Sequence, residues 1–143
     1  MLDEPSPKSH SYAAIVPSGS EDVFTLNSAP GSGPPTQFTL DHVFALAGQD
    51  TTTHNDPGRV VLAGGGPTRA IRVHVVDSTL TGQSGEDAYA VKLHGANPDS
   101  RFTFDRVDLD AGSEQDAILA FDSAVVVSGG SIENAASALT LTP

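Results

Sequence analysis

The chain has 143 residues, 18 of them acidic against 7 basic, for a formal charge of -11, and it contains no Cys and no Trp. Lack of Cys excludes disulfides, thiolate nucleophiles and Cys-based zinc or iron–sulfur sites together. The negative surface repels phosphate backbones, and Arg59, Arg69, Arg72, Arg101 and Arg106 are dispersed along the sequence, so direct nucleic-acid binding is not expected.

Residues 1–10, with two prolines and mixed charge, have little to bury and read as an extended N-terminal arm. The start of the chain has neither the basic nor the apolar region of a secretion signal, and no apolar run approaches the ~18 residues of a membrane span, so no membrane association is expected. Residues 11–143 read as one domain of short strands. Tyr12–Val16 and Val23–Leu26 come first, and a Gly/Pro/Ser loop follows over 27–35.

Phe38–Leu46 alternates and then runs apolar. Gln49–Pro57 is a polar loop, and Arg59–Ala63 is a strand closed by Gly64-Gly-Gly-Pro67. Ala70–Val76 and Ala88–Leu93 alternate cleanly. Phe102 and Phe104 share one face while Val107 and Leu109 are out of phase, which predicts a bulge or sharp bend at Asp105-Arg106. Ala117–Phe121, Ala124–Val127 and Ser137–Leu141 bring the count to eight or nine strands, and only Ile132–Leu139 has any helical character. Short strands with turn residues in every gap, and no visible repeat of ~20–50 residues, predict an antiparallel β-sandwich of jelly-roll type.

Catalytic and cofactor patterns are weak. Gly82-Gln-Ser84-Gly85 lacks the spacing of a nucleophile elbow, and Gly64-Gly-Gly lacks the Lys-Ser/Thr of a phosphate loop. His10, His42, His54, His74 and His94 form no close ligand pair, although His42 and His74 sit mid-strand and are placed to meet across a sheet. The densest carboxylate run, with Asp105, Asp108, Asp110, Glu114 and Asp116, is a weak calcium candidate whose spacing fails the EF-hand. Few aromatic residues disfavour glycosidase and lectin clefts. No enzyme activity and no cofactor beyond that calcium candidate are expected.

The arm Met1–His10, the stretch from Phe38 to Gly48 and the run from Val125 to Ile132 together resemble accessory (decoration, turret or tail) structural proteins of tailed phages and archaeal tailed viruses. The resemblance implies a non-enzymatic virion protein, made in the host cytoplasm, that forms a homo-oligomer, usually a trimer. Its partner would be the major capsid or tail protein, whose lattice it reinforces. The acidic, Lys-poor surface suits a haloarchaeal virus. The alternative is a receptor- or carbohydrate-binding module of a virus tip or cell surface.

With charge this far from neutral, thermal stability is expected to rise with salt. Screening shortens the reach of carboxylate repulsion from about 30 Å at 0.01 M to about 3 Å at 1 M. A melting temperature that stays level between dilute buffer and molar NaCl would contradict the halophilic reading.

Overall fold

Alternation of apolar and polar residues gives each strand one buried edge row and one solvent row, and the core is built from the buried rows. The computed structural model describes residues 13–15, 22–47, 59–83, 89–112 and 116–143. The arm 1–10, the polar loop 49–57 and Glu114 lie outside these residues. The strands are β1 (Ala13–Ile15), β2 (Phe24–Asn27), β3 (Thr36–Asp41), β4 (Val43–Leu46), β5 (Val61–Gly64) and β6 (Ile71–Val76). They continue as β7 (Thr79–Thr81), β8 (Val91–His94), β9 (Arg101–Asp110), β10 (Asp116–Phe121), β11 (Ala124–Glu133) and β12 (Ser137–Thr142). No helix occurs among the described residues, and Ser137–Thr142 is strand rather than helix.

Every strand pairing among the described residues is parallel. The expected antiparallel, jelly-roll-like sandwich is therefore wrong. The chain instead winds as a coil, with one five-stranded sheet facing a larger sheet that curls like a half-barrel. Three outer faces result. The first stacks β2, β5, β8, β10 and β12. The second stacks β3, β6 and the leading halves of β9 and β11. The third stacks β1, β4, β7 and the trailing halves of the same two long strands. A strand meets its parallel neighbour only after the chain has crossed the other two faces, which supplies the long crossover that parallel pairing needs.

The physical reason for the error is that alternation and turn residues look the same in both architectures. A sandwich strand and a coil strand each bury one side. What separates them is the partner, and here the partner lies one full turn away. Phe24 stacks on Val61, Val61 on Val91, Val91 on Ile118 and Ile118 on Leu139. The steps are 37, 30, 27 and 21 residues, a shrinking interval with no fixed period to detect.

Inside the coil, like stacks on like. Phe38, Val73, Phe102 and Val125 form one column; Leu40, Val75, Phe104 and Val127 form the next. Ala45, Leu80, Leu109 and Ile132 line the third face. Phe102, Ile71, Leu80, Leu93, Val61 and Val91 are wholly buried. The buried Ser78 interrupts this core without leaving a polar atom stranded: its Oγ accepts from Val43 N at 3.0 Å and donates to Val76 O at 2.7 Å. Ser100 Oγ likewise accepts from Ile71 N at 3.2 Å.

The phase slip in 102–109 is a corner. Arg106 adopts a left-handed φ of 53°, so Phe102 and Phe104 point inward from the second face while Val107 and Leu109 point inward from the third. The same corner is left-handed in each turn: His42 at 53°, Asp77 at 47°, Arg106 at 53° and Gly129 at 70°. Gly130, at 74°, is pressed against the Val107 backbone, where a Cβ would collide with the Val107 carbonyl. Three non-glycine residues in this conformation carry strain, which the flanking ladders hold in place.

Phe104, at the centre of the column, is expected to cost about 3–5 kcal/mol when changed to Ala. Chemical denaturation of the Phe104→Ala variant checks this; a loss below about 1 kcal/mol would mean that the columns do not carry the fold.

Candidate functional site

Outward residues of the coil stack into rows as strictly as inward ones, so each face presents a fixed chemical pattern. The first face shows Thr25, Leu62, Lys92, Leu119 and Thr140 in one row, and Asn27, Gly64, His94, Phe121 and Thr142 in the next. Lys92 Nζ lies 5.9 Å from the Phe121 ring centre, and the His94 ring meets Phe121 edge-on at 6.2 Å. This face is sparsely charged and mixes threonines with apolar side chains.

The third face is acidic. Its rows run Phe44, Thr79, Asp108, Ser131 and Leu46, Thr81, Asp110, Glu133. Thr79, Thr81, Asp108, Asp110, Ser131 and Glu133 line a shallow groove of about 280 Å³. Each aspartate already has a polar neighbour: Ser131 Oγ donates to Asp108 at 2.9 Å, and Asn134 Nδ2 and Gly112 N both donate to Asp110 Oδ1 at 2.9 Å.

The second face is the polar counterpart. Gln37, Arg72 and Arg101 form one row; Thr39, His74 and Thr103 form the next; Asp41, Val76 and Asp105 form the third. A depression of about 330 Å³ lies over the first two rows.

Between the second and third faces runs the left-handed corner, where charges interlock. Arg106 Nε donates to Asp77 Oδ1 at 2.6 Å and Nη2 to Asp77 Oδ2 at 2.9 Å, a two-point clasp, while Nη1 donates to Asp105 at 2.5 Å. His42 is paired with the neighbouring Asp41 through Nδ1. The hydrogen bonds from Arg106 hold the Asp77 carboxyl below the usual range, and Asp77 raises the Arg106 guanidinium further above its already high value. Asp41, His42 and Asp77 offer ligand atoms within 4.8 Å of one another, the one such cluster among the described residues. Both Asp77 oxygens are already engaged by the guanidinium, so the clasp works as an ion-pair rivet between successive turns.

The carboxylate run singled out in the sequence is divided by the coil. Asp105 projects from the second face beside Arg106, Asp108 and Asp110 project from the third, and Asp116 opens β10 on the first. Glu114 lies outside the described residues. His42 and His74 do not pair: His74 sits between Thr39 and Thr103, while His42 occupies the corner. Sequence reading missed both the Arg72–Arg101 adjacency and the Asp77–Arg106 clasp, since each joins residues 29 apart that only the turn-by-turn register brings together.

Asp77 has a depressed carboxyl in the folded protein, so its contribution exists above the ordinary carboxylate pKa and is lost as pH falls through the lower folded value. Asp77→Asn is therefore expected to lower the melting temperature more at pH 7 than at pH 2. An equal deficit at both pH values would show that the clasp's charge does not matter. No known protein family, curated protein or solved structure is found to match the chain.

Proposed function

We propose that this chain is a non-enzymatic structural protein of a viral particle, joined to its neighbours through the C-terminal end of the coil. The observation that carries this reading is the edge presented by β11 and β12 among the described residues. Among the described residues β11 pairs only β9 and β12 pairs only β10, so no described strand covers the outer edge of either. Inward columns end there in the open: Val127 is 42% exposed and Leu141 60%. Edges of this kind are normally blunted by lysine, proline or a covering segment, because they template further strand pairing.

Charge points to the occupant. Residues 123–143 contain a single charged side chain, Glu133, in a chain of charge -11. Over the acidic third face two copies repel each other; here they can approach without opposed carboxylates. A second copy of the chain is the partner that fits, with the particle's major capsid or tail protein as the surface to which the assembly attaches. The rival reading, a receptor- or carbohydrate-binding module, draws on the polar depression of the second face.

Light scattering on the purified protein should give a stable oligomer, a trimer being the expected species. Val127→Asp together with Leu141→Asp should convert it to a monomer whose circular dichroism remains that of the parent. A wild-type monomer at high concentration, or an oligomer indifferent to both substitutions, would sink the proposal.

A further inference from the structure

Arg72 and Arg101 are direct register partners on adjacent strands, both exposed on the second face. Strands in a sheet are about 4.8 Å apart, and like charges directly opposite one another destabilise it. The placement is the more unusual in a chain with only 7 basic residues among 18 acidic ones. Arg106 is matched by Asp77 and Asp105, and Arg59 faces Asp22, whereas no carboxylate among the described residues lies within ion-pair distance of Arg72 or Arg101.

The surroundings are built for an anion. Arg101 Nη1 donates to the carbonyls of Pro98 and Ser100 at 2.7 and 2.8 Å, which fixes the guanidinium and leaves its remaining N–H groups to point elsewhere. Gln37 stands beside Arg72, and Thr39, His74 and Thr103 form the adjoining row of hydroxyl and ring nitrogen. All six line the same depression. Two arginines lining one depression suit the oxygens of a carboxylate or sulfate, and the neutral polar row suits hydroxyl groups attached close by. The third row limits ligand length and charge. Asp41 and Asp105 lie two rows along from the arginines, so an extended polyanion such as a nucleic-acid backbone meets carboxylates there.

We infer that the second face carries an oxyanion site in which Arg72 and Arg101 hold the carboxylate or sulfate group of an acidic saccharide, with Gln37, Thr39, His74 and Thr103 binding the hydroxyls beside it. This site is independent of the β11 and β12 edge, and either one stands if the other fails.

Amide-resolved NMR titration tests it with three probes: sodium sulfate, glucuronate and glucose. Glucuronate should give saturable shifts confined to 37–39, 72–74 and 101–103, sulfate weaker shifts at the same amides, and glucose none. Arg72→Gln with Arg101→Gln should weaken glucuronate by about tenfold or more, the loss expected for a charge-assisted pair. Lys92→Gln, a charge change on the first face, should leave it unaltered. Fold retention in the double variant is checked by its melting temperature, which sulfate should no longer raise beyond the general effect seen with Lys92→Gln. Shifts spread over all faces, no saturation, or equal weakening by Lys92→Gln would overturn the site. Sulfate binding as tightly as glucuronate would overturn the saccharide and reduce the site to one for a bare anion.

Discussion

The structure depends on in-register parallel stacking. Once Phe24, Val61, Val91, Ile118 and Leu139 are placed one above another, every other position in each turn is placed as well, because side chains alternate with a period of two. A slip of one residue in any turn would send that turn's apolar row outward and its polar row into the core. Stacking therefore fixes both the interior columns and the outer rows. The chemistry of each face is a by-product of the register that buries Val61 and Val91.

The corner between the second and third faces shows what this register costs locally. His42, Asp77 and Arg106 occupy a conformation that glycine would take more readily, and in the last full turn glycine does occupy it, at Gly129. The side chains that the earlier turns retain there are used: Arg106 reaches back to Asp77, tying the third turn to the second. The strain is offset by a tether between neighbouring turns, and the last turn is held to the third by Ser128, Ser131 and Asn134, which donate to Asp105, Asp108 and Asp110.

Much of the local structure was legible in the sequence. Strands at 70–76 and 137–141 follow from alternation and that at 117–121 from a short apolar run, and the slip between Phe104 and Val107 announces the bend at Arg106. The short strand Thr79–Thr81 was hidden, since three residues carry too little pattern. The direction of pairing was hidden for a deeper reason. Alternation describes a strand's two sides and is silent about its neighbours, and a coil whose turns shorten from 37 to 21 residues leaves no constant interval to betray them. The candidate sites suffered accordingly. Asp105, Asp108 and Asp110 look convergent along the chain yet are separated by a corner, whereas Arg72 and Arg101 look unrelated and are neighbours.

The shortening is visible at the corner between the first and second faces, which spans residues 28–35, then 65–70, then 95–100, and finally Asp122-Ser123 alone. Strands on the faces cannot lengthen without breaking register, so this corner is one place where a turn of the coil can accept extra chain. Early turns have room for such additions: Gly31 has open space around its Cα. The last turn does not, because Asp122 turns the chain in a single left-handed step and its carbonyl abuts Gly95. The molecule is thus polarised for variation. New loops, peptide grafts or epitopes can be hung on its first turns, while the C-terminal turn stays bare and smooth.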